Sequence, residues 1–269
     1  MRQIKEISKL REIQMDILSC VDKICREHDI HYSLSGGTLI GAVRHKGYIP
    51  WDDDIDIMMT RENYIKFETI FPKFADKQYR LFSNCRDEEF CQPYLNVADV
   101  RTYYDMPGYP KDMGVNIDIF PFDHISEDEN VRKSIFFKIH YLRSIFVIKG
   151  LCWRKERSLP KNFFMILSKC FLFFISRKTL SKQIEKIALN AGGVNSKLCA
   201  CIVWGYGAKE VLKASLFDDY IDIMFEGRTY MAIKNYEVYL HQLFDDYMQL
   251  PPIEKRVSHH EFTAYWKTS

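Results

Sequence analysis

The stretch SGGTLIGAVRHKGYIPWDDDIDI, from Ser35 to Ile57, decides how this chain is read. Its end, continued by Met58, alternates polar and apolar residues with the two-residue period of a strand that buries one face. Residues two apart on a strand project to the same side, so Asp54 and Asp56 stand side by side while Ile55 and Ile57 enter the core. Like charges at that spacing repel, and a divalent cation that prefers hard oxygen ligands, Mg²⁺ or Mn²⁺, relieves the repulsion. At the other end of the stretch, Gly36-Gly37 follows a short predicted strand, His31 to Ser35, and precedes Thr38, placed to cap a short helix toward Arg44. Glycines between a strand and a helix start let backbone amides approach a phosphate closely. A Gly-Gly pair alone is usually a turn; one that stands seventeen residues ahead of Asp-x-Asp is a stronger signal.

Upstream, Ile4, Ile7, Leu10, Ile13, Ile17, Val21 and Ile24 recur at steps of three and four, which predicts an amphipathic helix ending near Glu27. Downstream, Arg61 to Phe74 has helical spacing, and Tyr94 to Tyr103 reads as a strand. Val115 to Phe120 is a second alternating strand, interrupted by Pro121. That last strand carries Asp118 between Ile117 and Ile119, so a third carboxylate joins the first two if the strands are neighbours. The pattern predicts an α+β fold: a mixed sheet flanked by helices over residues 1–128, a helical accessory region over 129–200, and a segment 201–269 packing back on the core.

The composition, 47% hydrophobic and 28% charged with 14% aromatic residues, is that of a globular chain. The net charge of +2 hides an asymmetry: from Arg132 to Lys186 fourteen Lys and Arg face only Glu156 and Glu185. Such a block suits a polyanionic or membrane-surface partner, although a solvated helix face accounts for the same count. Within it, Phe163 to Ile175 is almost wholly apolar yet too short to span a bilayer. It is either a core helix of the accessory region or an interfacial helix with basic flanks. Basic residues are not interleaved with aromatic ones, so nucleic acid is not expected as a partner. The eight cysteines form no C-x-x-C pair, which predicts reduced thiols rather than a zinc site. The N-terminus lacks the apolar core of a signal peptide, so a cytoplasmic protein is expected.

The stretch from Ser35 to Ile57 also resembles the signature of the LicD family of phosphotransferases. Further matching segments are Asp118-Ile119-Phe120-Pro121-Phe122-Asp123, Phe225-Glu226-Gly227, Asp246 to Pro252, and Arg256 with His259-His260. Two departures stand out: Phe244-Asp245 replaces an expected Tyr-Gly, and Met231-Ala232-Ile233 lacks an expected proline. The resemblance implies a nucleotidyltransferase-like fold that moves phosphocholine from CDP-choline to a sugar of a cell-surface glycan, a teichoic acid or a lipopolysaccharide precursor. The similar fukutin group transfers another alcohol phosphate from a CDP donor, so the fold does not fix the headgroup. A lipid-linked acceptor would bring the enzyme to the inner face of the bacterial membrane.

On this reading Asp54, Asp56 and Asp118 hold the metal, with Asp118 completing its shell or taking the acceptor's proton, and Asp53 extends the shell or fixes the loop. Gly36, Gly37 and Thr38 cradle the diphosphate. Arg44 clamps phosphate or pairs with the Asp52–Asp54 run, Lys46 neutralises developing charge, and Arg101 is another phosphate candidate. His45 is a structural or a substrate histidine, and His259 and His260 are candidates to reach the site. A choline group calls for ring faces, for which Trp51, Tyr48, Trp204 and Tyr206 are available. Two alternatives share these residues: a nucleotidyltransferase acting on a small molecule or protein, and a silent binding module of the same fold.

Overall fold

Residues 1–105, 109–151, 158–257 and 263–267 are described by the computed structural model. The chain opens with β1 (Arg2–Ile4), α1 (Ile7–Glu27), β2 (Ser33–Leu34) and α2 (Gly36–Ile40), which a π-helical turn (Gly41–His45) continues. Next come β3 (Asp56–Thr60), α3 (Arg61–Phe74), β4 (Tyr79–Phe82), β5 (Leu95–Asp99), β6 (Thr102–Tyr104) and β7 (Asn116–His124). Three helices follow: α4 (Glu129–Gly150), α5 (Leu159–Phe171) and α6 (Arg177–Leu189). The chain returns through β8 (Leu198–Ala200), β9 (Leu212–Lys213), β10 (Tyr220–Phe225), β11 (Arg228–Ile233), α7 (Tyr236–Phe244) and β12 (Ala264–Trp266). The fold is mixed α+β, as the sequence predicts.

The main sheet has the order β2-β3-β7-β5-β4, with β8 and β9 extending it from the far end of β7. β3 and β7 run parallel, and β5 lies antiparallel on the other side of β7. Alternation fixes their register: Ile55, Ile57, Ile117 and Ile119 are all buried, and a slip of one residue would turn them outward. β3 starts at Asp56 rather than Asp54, and β7 runs straight through Pro121. Proline is tolerated there for a geometric reason. The Asp118 amide donates to the Ile55 carbonyl at 3.0 Å, so the nitrogen of residue 121, an odd number of residues on, faces away from β3. On that side β5 pairing ends at Ile119 and β8 pairing begins at Asp123, so no ladder bond is lost.

The N-terminal apolar stripe buries Leu10, Ile13, Ile17, Val21 and Ile24 of α1 against the sheet, while Ile4 belongs to β1 instead of the helix. From the same helix, Arg11 donates to the carbonyls of Ile49, Pro50 and Asp52, clamping the loop that leads into the acidic run. β10 and β11 form a hairpin whose two turn residues, Glu226 and Gly227, both have positive φ, as a type I′ turn requires. The Glu226 carboxylate accepts from the Tyr48 amide at 2.9 Å, so this hairpin straps the same loop from the other side. The predicted strand from Tyr94 to Tyr103 is broken after Asp99 by a turn in which the Thr102 hydroxyl donates to the Asp99 carbonyl.

Between residues 129 and 190 the described residues build three helices, α4, α5 and α6, as predicted, but the apolar run within them is not a core helix. Phe163 is 68% exposed, Phe171 79% and Phe174 93%, whereas Met165 turns inward. The core of this region comes instead from α4 and α6, through Ile145, Phe146 and Leu180. Among the described residues, no helix is long and apolar enough to cross a membrane. Every described cysteine is a free thiol.

Candidate active site

Asp56 of β3 lies directly opposite Asp118 of β7, and Asn96 of β5 lies opposite Asp118 on its other side. Directly paired residues share a face, so two carboxylates and an amide form one row across three strands. The Asn96 amide nitrogen donates to Oδ1 of Asp118, and that of Asn116 reaches the same oxygen at 3.0 Å. Asp118 is thereby held in one orientation. Asp54, two residues before Asp56, faces the same cavity as the row. The carboxylate oxygens of Asp52, Asp53 and Asp54 also lie within 4.8 Å of one another.

This crowding shows in the proton affinities. Burial, and then the charges of Asp54, Asp118 and Asp52, push Asp56 well above the usual carboxylate range. Burial and the neighbouring Asp54 push Asp52 up to about 8. Carboxylates that resist ionising together and offer only hard oxygen donors fit a divalent cation of the Mg²⁺ or Mn²⁺ type.

The glycine turn serves this cluster. Gly36 has φ of +48°, and a Cβ there would stand 3.8 Å from Oδ2 of Asp56; one on Gly37 would come within 2.6 Å of Oδ2 of Asp52. The Gly36 amide is taken by the Tyr239 hydroxyl at 3.3 Å, so that amide does not point at a ligand as the sequence suggests. Thr38 is not a cap either. The helix begins at Gly36, and the Thr38 hydroxyl accepts from the Asp56 amide at 2.9 Å, fixing the start of β3.

A cavity of about 660 Å³ opens over the row. Its floor is Asp54, Asp56 and Asp118; one wall brings Arg143, Phe146 and Arg177 from α4 and α6, and another brings Trp204, Tyr206 and Glu210. The Trp204 ring lies 5.8 Å from both Tyr94 and Phe146, with the Arg143 guanidinium stacked at 4.7 Å. Arg143 also donates to the Gly205 carbonyl at 2.8 Å. Glu210 accepts from the Tyr206 amide at 2.8 Å, and burial pushes it up to about 7.

Several residues singled out in the sequence stand elsewhere. Arg44 donates to the carbonyls of Tyr247 and Gln249 and to Nε2 of His45, so both side chains brace the Asp246–Pro252 segment rather than the cavity. Lys46 is exposed, in a left-handed turn with φ of +60°. Arg101 is held by the buried Asp99, outside the cavity lining, at the turn between β5 and β6. Trp51 carries the Arg256 guanidinium 5.6 Å from its ring centre, and Tyr48 is buried with its hydroxyl on Gln14. Asp53 is buried and lines the cavity, and its carbonyl accepts from Gln14. His259 and His260 lie outside the described residues. Trp204 and Tyr206 do face the cavity. Sequence reading missed Asn96, Arg143 and Arg177; the basic block contained both arginines but gave no sign of which of its cations turn inward.

A mixed sheet in which a glycine turn precedes Asp-x-Asp, with a third Asp on the neighbouring parallel strand beneath a nucleotide-sized cavity, defines a nucleotidyltransferase-like enzyme. Comparison with known proteins agrees. The LicD/FKTN/FKRP nucleotidyltransferase-domain family matches residues 29–150. The lipopolysaccharide cholinephosphotransferase LicD of Haemophilus influenzae is 30% identical over 266 residues, covering 95% of this chain and 97% of that protein. An uncharacterized protein of Rickettsia typhi is 44% identical over 62 residues, 23% of this chain and 20% of its own. The chain belongs to the LicD family and is a phosphotransferase.

Proposed function

We propose that this enzyme transfers phosphocholine from CDP-choline to a sugar hydroxyl of a cell-surface glycan, a lipopolysaccharide or teichoic acid precursor, with Mg²⁺ or Mn²⁺ bound. The pairing of Asp56 with Asp118 beneath an aromatic-walled cavity carries this reading. Asp54, Asp56 and Asp118 would hold the ion. Two amides on Oδ1 hold Asp118 in one orientation beside Asp56, which favours the metal shell over proton transfer as its role. When bound, such an ion neutralises the diphosphate and the departing CMP.

The protein's own part is mainly positioning. Arg143 and Arg177 stand on the cavity wall to receive the donor's phosphate oxygens. Trp204, Tyr94, Phe120 and Tyr206 offer ring faces to a trimethylammonium group, which has no hydrogen bonds to donate. The acceptor hydroxyl then attacks the phosphorus that carries choline, a new oxygen–phosphorus bond forms, the bond to the CMP oxygen breaks, and the hydroxyl proton passes to solvent. This placement of the headgroup distinguishes phosphocholine transfer from nucleotidyl transfer, in which the other phosphorus is attacked. The acceptor glycan would be lipid-linked and met at the inner face of the membrane.

Mass spectrometry of glycan acceptors incubated with CDP-choline, and separately with nucleoside triphosphates, tests the proposal. A phosphocholine adduct with release of CMP is expected. A nucleotidylated acceptor, or an adduct formed equally well from a CDP-linked neutral alcohol, would contradict it.

A further inference from the structure

The face of α5 and the turn that follows it are built the wrong way round for a soluble protein. Phe163, Ile166, Leu167 and Phe171 recur at helical spacing and form a stripe that faces solvent, while Asn162 and Met165 face inward. The turn prolongs the stripe with Phe173, 76% exposed, and Phe174, 93% exposed. An aromatic cluster of this kind on a surface marks an interaction site rather than a scatter of single apolar residues.

Its surroundings select the partner. From Ser158 to Lys182 the chain carries Lys161, Lys169, Arg177, Lys178 and Lys182 and no Asp or Glu; Arg177 turns into the catalytic cavity and Lys169 and Lys178 reach backbone carbonyls, while Lys182 is exposed. Phe137 and Tyr141, also exposed, flank Lys138 on α4. An apolar stripe in a segment that carries five Lys and Arg and no Asp or Glu complements the boundary between acyl chains and anionic headgroups, whereas a protein interface of this apolarity would be depleted of charge. We propose that α5 and the Phe171–Ile175 turn dock on the surface of an anionic phospholipid bilayer, lying in its interface without crossing it.

The position of this face ties docking to the site. Lys149 of α4 donates to the Leu172 carbonyl at 2.8 Å, and Lys169 of α5 donates to the Leu151 carbonyl. Gly150 and Leu151 line the catalytic cavity, so the lipid-facing turn is strapped to the cavity's own wall. A lipid-linked acceptor would then meet the cavity at the height of the headgroups. That last step rests on the glycan-acceptor reading; docking itself does not.

Cosedimentation with phosphatidylcholine vesicles, with and without phosphatidylglycerol, tests the docking and requires neither donor nor acceptor. The protein should sediment with the anionic vesicles and be released by salt. The combined Phe171→Ser, Phe173→Ser and Phe174→Ser variant should lose at least about tenfold in binding with an unchanged melting temperature; Phe174→Ser alone serves if the triple variant does not fold. Equal sedimentation of wild type and variant, or no sedimentation of the wild type, overturns the proposal. A wild-type dimer in solution that the substitutions abolish would assign the face to a second copy, and also overturns it. Failure here leaves the transfer assay standing, and failure of that assay leaves docking standing.

Discussion

At the scale of single residues, the site holds charges that fold together only at a cost. Asp56 is pushed above the carboxylate range by burial and then by Asp54, Asp118 and Asp52, so its ionised form weakens the metal-free fold as pH rises. Asp56→Asn should therefore raise the melting temperature in chelator at neutral pH while lowering transfer on the order of 10²- to 10³-fold, the usual scale for losing one transition-state electrostatic contact. Thermal melts and product assays on the same preparation check both signs. Glu210 gives a second, separable pH effect. Its carboxyl rises from an ordinary 4.5 to about 7 through burial, so its contribution to stability is complete below 4.5 and is lost as pH rises through 7. Glu210→Gln keeps an acceptor for the Tyr206 amide and removes that titration. The variant should melt close to wild type near pH 4.5 and above it at pH 8; parallel pH profiles would refute the assignment.

At the scale of elements, alternation in β3 and β7 made the carboxylate row readable, since it fixes both the face and the register. Asp54 lies just before the strand it was expected to open, but it keeps the same side because Ile55 and Ile57 still anchor the core. What periodicity leaves open is the partner across the strand or helix. Asn96 carries no mark in its own segment, and α5 reads equally as a core or an interfacial helix because apolar content alone does not say what covers it. The same limit hid the anchor of α3 on β7. Arg61 reaches both carboxylate oxygens of the buried Asp123, at 2.7 and 2.8 Å, and fixes the first turn of α3 against the end of the strand that carries Asp118. Removing one partner strands a buried charge, so Arg61→Ala should cost about 3–5 kcal/mol in denaturant unfolding. A loss below about 1 kcal/mol would show that the pair contributes little to the frame.

At the scale of the whole molecule, the cavity is an assembly of distant parts: a sheet floor, two helical arginines, and an aromatic wall from the segment after β8. The glycine turn, Asp-x-Asp and third Asp were legible because they sit on elements with short-range rules. Arg44 and Arg101 do not reach the cavity because their guanidiniums turn to backbone carbonyls and to Asp99 in space, and His45, open between a structural and a substrate role, accepts from Arg44 outside the cavity lining. If the aromatic wall holds a quaternary ammonium, Trp204→Ala should raise KM for CDP-choline by the equivalent of about 1–2 kcal/mol, roughly 5- to 30-fold. It should leave a CDP-linked neutral alcohol nearly unchanged, and steady-state kinetics on both donors decides this. The paired carboxylates can work together only if they bind a divalent ion. Electron paramagnetic resonance titration of Mn²⁺ in the presence of CDP-choline tests it directly: the wild type should bind one ion and Asp56→Asn should bind it roughly 100-fold more weakly. Equal affinity for Mn²⁺ in the two proteins would contradict it.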